Sequence, residues 1–362
     1  MVELPQDTLY NIFSRLPIES LARFRSVCKQ WRKVINDPYL NKIRGEEEPI
    51  PISSLAIIKS ITTVKAEKDP IFKFSREDLI PGFIGRLVIG FCNGLVLFNS
   101  KFILHHSVSY IVINPLSKQC HKLPRIKIRP AVRAACYLRK SGGIGYDDST
   151  NTFKIVFVVQ EIYSSKQDDL KLRTIVHVLG THTWREISQV PSYCIDGECV
   201  FAHGCLYWLT DIDRSSPTEP RKVVWFDVKK EEFGLIDHLP KQSEVNCTLD
   251  HLIDLDGEVG FVCHYNDTRS IEMWIFKQEQ WVMHCQIHPE PPLLLQGVRV
   301  SGFLNKDGDI LLTTKDGLVV YRLKSGRIHE VEHEYKHKFD AQHIRMYRKS
   351  LCSIHGFSSI KN

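Results

Sequence analysis

Between residues 4 and 16 the apolar positions Leu9, Ile12, Phe13 and Leu16 recur at intervals of three and four, which places them on one face of a helix. Pro5 is tolerated in the first turn of that helix, and Asp7 suits its positive N-terminal end. Pro17 stops it. The pattern then predicts a second short helix over 18–25 and a third over 27–36, with Ser26 as the candidate N-cap and Pro38 marking the exit. A unit of this size is at or below the limit at which a chain buries enough surface to fold firmly alone. Some of its apolar surface is therefore expected to be covered by something else.

Residues 41–54, "NKIRGEEEPIPISS", replace the helical pattern with charge, prolines and serines and read as a boundary. Beyond it the chain becomes a series of short runs of Val, Ile, Leu, Phe, Tyr and Trp separated by Gly, Asn, Asp and Pro turns, such as "GLVLF", "FKIVFVV", "CLYWLTD", "KVVWFDV" and "GLVVYRL". No segment of helical length and periodicity interrupts them, so the region is read as all-β. The glycines that precede apolar strands, Gly94, Gly145, Gly204, Gly257 and Gly308, are spaced by 51, 59, 53 and 51 residues. A period near fifty with several strands per unit is that of a propeller blade. Five units are visible, and the leftover ends, "LAIIKSITTV" and "IRMYRKSLCSI", are expected to pair and close a sixth blade, which would remove exposed sheet edges.

Composition narrows the function classes only a little. The 362 residues are 43% hydrophobic and 25% charged, ordinary for a folded chain with a sizeable core. A net charge of +6, with both signs interspersed, argues against a general nucleic-acid binder. The 11 cysteines include no C-x-x-C pair and lie mostly in apolar runs, which suits reduced core thiols in cytoplasm or nucleus. No secretory signal pattern and no apolar tract of bilayer length is present, so no membrane association is expected.

Candidate chemistry is sparse. Cys194, Cys199, His203 and Cys205 are soft ligands close together, but structural zinc sites draw their ligands as close pairs on tight knuckles, whereas Phe201, His203 and Cys205 alternate as in the start of a strand. His333, His337 and His343 read as solvated loop residues. No G-x-S-x-G elbow, phosphate-cradling loop or G-x-G-x-x-G fingerprint occurs. Asp147 and Asp148 sit in the turn "GYDDSTN", where Asp favours the turn itself. No metal, cofactor or catalytic residue is expected. Residues 122–140 form a basic run without an acidic residue; it is either a solvated connection between blades or a surface on which Arg125, Lys127, Arg129 and Arg133 hold an acidic or phosphorylated segment of a partner.

The stretch "LPQDTLYNIFSRLPIESLARFRSVCKQWRKVI" closely resembles the F-box, whose pattern runs L-P-x-D/E-x-L-x-x-I-F-x-R-L-P and then S-L-x-R-F-R-x-V-C-K-x-W. The pieces "GFCNGLVLF", "VINPLSKQCHKLP", "GIGYDDSTNTFKIVFVV", "VHVLGTHTWREI", "VFAHGCLYWL", "WFDVKKEEFGLIDHLP" and "SIEMWIFKQEQWV" resemble, in order and spacing, the F-box-associated interaction domain of plant F-box proteins, a divergent kelch-like region. The resemblance implies a small all-α F-box of three helices followed by an all-β, kelch-like β-propeller of about six blades. The expected division is an F-box over 1–40, a linker over 41–54, the propeller-like substrate-recognition domain over 55–355 and a tail over 356–362.

What the resemblance implies about function is a non-catalytic substrate receptor of a Skp/cullin/F-box ubiquitin ligase. The F-box would dock on a Skp-type adaptor, which links it indirectly to cullin and RING subunits, while the β domain would hold a protein target for ubiquitination. Proximity, not bond chemistry, is the receptor's contribution. The residues this implies for the adaptor are Leu4, Pro5, Leu9, Ile12, Phe13, Leu16, Pro17, Leu21, Val27, Cys28 and Trp31. The alternative is an adaptor-bound propeller scaffold or regulator acting without cullin-dependent degradation.

Overall fold

The computed structural model describes residues 4–44, 49–52, 56–64, 71–78, 86–100, 110–126, 139–162, 170–211, 221–240, 247–265, 270–288, 298–314, 317–333, 344–351 and 358–359. Four helices open the chain: α1 (Gln6–Ser14), α2 (Ile18–Phe24), α3 (Lys29–Ile35) and α4 (Pro38–Arg44). Three were expected. Pro38 begins the fourth helix instead of closing the third, because a proline at the first helical position gives up only an amide that no helix uses. Asp37 immediately before it accepts a hydrogen bond from the Tyr39 amide at 2.9 Å, which satisfies one of the remaining free donors. The N-cap of α3 is Cys28, whose thiol accepts from the Trp31 amide at 3.4 Å, and not Ser26, whose hydroxyl donates to the Arg23 carbonyl at 2.7 Å.

Among the described residues every further regular element is a strand. β1 (Ile50–Ile52), β2 (Ala56–Val64) and β3 (Ile71–Asp78) precede four groups of four: β4 (Arg86–Cys92), β5 (Leu95–Ser100), β6 (Tyr110–Asn114) and β7 (Gln119–Lys122); β8 (Arg139–Asp147), β9 (Thr152–Ile162), β10 (Leu170–Val178) and β11 (Arg185–Ile187); β12 (Ile195–Ala202), β13 (Cys205–Thr210), β14 (Val223–Asp227) and β15 (Glu232–Ile236); and β16 (Cys247–Leu255), β17 (Glu258–Tyr265), β18 (Ser270–Lys277) and β19 (Gln280–Ile287). A fifth group, β20 (Arg299–Phe303), β21 (Ile310–Thr313), β22 (Leu318–Arg322) and β23 (Arg327–His333), is followed by β24 (Arg345–Tyr347) and β25 (Ser358–Ser359). Within each group consecutive strands pair antiparallel, giving the meander of a propeller blade.

The expectation of about six blades is corrected to five. The expected pairing of "LAIIKSITTV" with "IRMYRKSLCSI" is also corrected: β1 stands between β2 and β24, antiparallel to β24 through Ile50 with Tyr347, Pro51 with Met346 and Ile52 with Arg345. However, β3 also pairs in parallel with β23, so these strands extend the last sheet to eight instead of standing as a blade of their own. Residues 41–54, read as a linker, thus hold the end of α4 and the paired strand β1, of which Pro51 and Ile52 are buried.

The core lies between blades. Val156, Val158 and Val176 of the second group pack on Leu206, Trp208 and Phe226 of the third. Ile52, Tyr347, Val88, Phe98 and Ile113 form the layer that joins the paired chain ends to the first. Polar links cross the same gaps: the buried Lys154 ammonium lies 3.0 Å from Asp147 and 2.9 Å from Glu231, and donates to the Val228 carbonyl at 2.8 Å. Asn93–Gly94, His203–Gly204 and Asp256–Gly257 each have both residues at positive φ and close the first hairpin of their blades, the two-residue geometry that matches strand twist. Gly145 is the exception among the repeating glycines, because it lies inside β8. Among the described residues no helix is long and apolar enough to cross a membrane.

Candidate functional site

The helical unit is built round Leu9, Phe13, Ile18, Leu21, Val34, Ile35 and Leu40. Phe13, Phe24 and Trp31 form an aromatic group, with Phe13–Trp31 centroids 5.2 Å apart at 73° and Phe24–Trp31 centroids 5.3 Å apart at 61°. The guanidinium of Arg44 on α4 reaches back to donate to the Phe13 and Leu16 carbonyls at 2.8 and 2.5 Å, closing the C-terminal end of α1. Eight apolar side chains complete this core only with help from the β region: Leu351 is its eighth buried member, and Leu116 packs against it. Lys349 also pairs with Glu19 on α2. The covering surface expected for so small a unit is therefore supplied in part by the chain's own β domain.

What stays uncovered is a set of apolar residues on the outside of the same helices and of the segments that flank them. Leu4 is 44% exposed, Ile12 42%, Val27 59%, Tyr39 54% and Ile43 39%. The Gln30 side-chain amide donates to the Leu4 carbonyl at 3.0 Å, which holds the N-terminal segment beside the start of α3, where Val27 and Cys28 sit. Pro5, Pro17 and Cys28 are exposed, and Leu16 and Trp31 are half-buried.

This divides the residues expected to meet an adaptor. Leu9, Phe13 and Leu21 are buried at 1%, 1% and 0% exposure and hold the helices together. The reason is geometric: helical periodicity marks a face as apolar without saying whether a neighbouring helix or a second protein covers it. Leu4, Pro5, Ile12, Pro17, Val27 and Cys28 are open, with Leu16 and Trp31 at the margin. Tyr39 and Ile43 on α4 join the exposed set and were missed, because the sequence reading ended the helices at Pro38.

Of the basic run, Arg125 is exposed between the buried Leu123 and Ile126, and the Trp184 indole donates to the Pro124 carbonyl at 2.7 Å. Lys127, Arg129 and Arg133 lie outside the described residues. His203 is placed in the β12–β13 turn, where its Nε2 lies 2.7 Å from Glu258, and not in a strand. Burial pushes the Cys199 thiol up to about 12, so it is a packing group. Among the described residues no three His, Cys, Asp or Glu side chains come together as metal ligands. His337 and His343 lie outside the described residues.

Comparison with known proteins gives two family matches. The model of the F-box domain matches residues 1–43, and that of the F-box associated beta propeller domain matches residues 73–357. The F-box/kelch-repeat protein At3g23880 of Arabidopsis thaliana is 23% identical over 344 residues, covering 90% of this chain and 89% of its own. Two further Arabidopsis thaliana proteins, the putative F-box protein At5g15660 and the F-box protein At1g53790, are each 25% identical, over 80% of this chain and 66% and 65% of theirs. Likeness to solved structures is faint: an exo-beta-1,3-galactanase of Phanerochaete chrysosporium superposes with a TM-score of 0.40 at 8% identity, covering 78% of this chain and 67% of that one.

Proposed function

The chain belongs to the F-box associated beta propeller family and carries an F-box ahead of the propeller, and on that premise we propose that it is a substrate-recognition subunit of a Skp/cullin/F-box ubiquitin ligase. The observation that carries this is the match of residues 1–43 to the F-box together with the exposed Leu4, Ile12 and Val27 in that unit. Apolar side chains left outside a unit that has already filled its own core suit a partner interface better than solvent. On this reading the F-box spans the helices, 41–54 joins the two domains, and the β region over 55–355 presents a target protein while the chain performs no bond chemistry. It acts in cytoplasm or nucleus. The propeller's kelch-like character rests on the repeated hairpin glycines, since the one paired glycine, Gly142–Gly143, lies inside β8.

The test is co-purification with a Skp-type adaptor. Ile12→Asp and Val27→Asp place charges at open positions, so the chain should keep its thermal midpoint while adaptor capture falls by about tenfold or more. Unchanged capture in both variants would overturn the reading. A chain that holds the adaptor but never recruits cullin would instead be an adaptor-bound scaffold.

A further inference from the structure

The outer strand of each blade leaves a row of backbone amides and carbonyls without a partner in its own sheet, an edge on which a further strand can pair. Four of the five outer edges are covered, short or charged among the described residues. β7 is paired by β25, through Cys120 with Ser358 and Gln119 with Ser359, and β23 is paired by β3, through Val331 with Phe72. β11 is three residues long and carries Arg185 and Glu186, and β15 is five residues long and begins with the exposed Glu232. β19 has none of these protections. It is eight residues long, "QWVMHCQI", carries no Asp, Glu, Lys or Arg, and among the described residues pairs only with β18. Burial, then Lys277, holds the His284 imidazole below its ordinary value, so the strand is uncharged at neutral pH.

Val282 is 54% exposed and Met283 41%, the first opposite Ile275 and the second opposite Trp274, so both faces of this edge are apolar. Trp281 is half-buried: its indole donates to the His238 carbonyl at 3.0 Å, and its ring lies 5.0 Å from that of Phe276. A bulge follows. Trp274 pairs with Met283 and Met273 with Cys285, which leaves His284 unopposed and confines the regular run to Gln280–Met283.

A two-fold axis perpendicular to the sheet pairs such a strand antiparallel with itself. Residues that face each other must then turn their backbone groups the same way, so the axis passes through a residue and not between two. An axis at Val282 sets Val282 against its counterpart and Trp281 against Met283, and each exposed apolar side chain of the run meets an apolar one. No charge on either strand opposes the contact. We propose that β19 is a contact between two copies of this chain, joined antiparallel about Val282 into one continuous sheet of two blades. A strand pair alone covers less than the roughly 1,200–2,000 Å2 of a stable interface, so the dimer is weak and depends on concentration. This contact does not depend on the receptor reading.

The test is sedimentation velocity of the full chain over a concentration series under reducing conditions, where a reversible monomer–dimer equilibrium with a Kd of about 1–100 μM is expected. Val282→Lys places two ammonium groups face to face and should weaken the dimer by about tenfold or more, with an unchanged thermal midpoint because the position is open in the monomer. Leu235→Lys, at an exposed position of β15, should leave the dimer as it is. Val282→Cys gives a second readout. Facing residues of an antiparallel pair stand about 4.5–5.5 Å apart between Cα atoms, within disulfide range, so oxidised glutathione should link two copies through the new thiols, as mapped by mass spectrometry, whereas Leu235→Cys should not cross-link. A dimer that Val282→Lys leaves intact overturns the contact, and so does one abolished by Ile12→Asp, which would place it in the head. A chain that stays monomeric throughout the series also overturns it and leaves the edge to an extended segment of another protein.

Discussion

The helical head and the β ring put their misfit residues in opposite places. Of the ten large hydrophobic side chains exposed among the described residues, five lie in the head, between Leu4 and Ile43. Every buried polar or charged side chain among the described residues lies in the ring, from Asn114 to Thr314. The head therefore keeps an apolar interior and leaves apolar groups outside, the condition of a unit that is completed by apolar contact with a partner. The ring has ample core between its blades and carries polar groups inside, where they link blades and line the axis. Apolar groups stand outside in the first region, and polar groups inside in the second.

The largest expected effect tests the head's interior. Phe13→Ala removes a side chain that packs on Trp31 and Phe24 and should cost about 3–5 kcal/mol of the head's stability. Hydrogen exchange should show α1 to α4 losing protection and the ring keeping its own. If the ring lost protection equally, the two regions would form one cooperative unit and the contrast would have to be redrawn.

Next is the ring's polar interior. His264 on β17 is buried, its two ring nitrogens lack partners among the described residues, and burial, then Arg299, pushes it down to about 4. The unfolded chain binds a proton there at about pH 6.5 that the folded chain refuses until about pH 4. Stability is fully present above that window and falls through it on acidification, by about 1.4 kcal/mol per pH unit, or roughly 3 kcal/mol in all. His264→Leu should flatten this slope in acid-dependent urea unfolding, whereas an unaltered slope would show that His264 does not carry it. Leu351→Ala, the smallest of the three, should cost about 2 kcal/mol and loosen the head from the ring side. A loss confined to β24, with α1 to α3 still protected, would mean that Leu351 is not the head's wall.

Much of this organisation is legible in the sequence, for identifiable reasons. Gly94, Gly204, Gly257 and Gly308 all sit at positive φ in the turn between the first two strands of a blade, so their spacing reports a real constraint on the backbone. Gly145 breaks the series because the corresponding turn in its blade ends at Asn151, which takes the positive φ instead. The open Leu4, Ile12 and Val27 and the buried Leu9, Phe13 and Leu21 look alike to a periodicity argument. Only packing against α3, α4 and Leu351 tells them apart. The charged group that joins the inner strands is hidden for a different reason. Glu198 lies inside β12 while Arg299 and Arg345 begin β20 and β24, far apart along the chain, and nothing local marks them as neighbours.

The wall that Leu351 gives the head has a consequence for synthesis. Leu40 and Leu351 share one core although they are about 310 positions apart, so the head's helices emerge from the ribosome well before the side chain that completes their core. At bacterial-to-eukaryotic elongation speeds that interval is roughly 15–60 s. Throughout it the helices are short one wall, and β1, waiting for β24, leaves the ring unclosed. A nascent chain halted before Ile344 would carry the entire F-box sequence and still lack the contact that finishes it, so that a finished head attests to a chain made at least as far as Leu351.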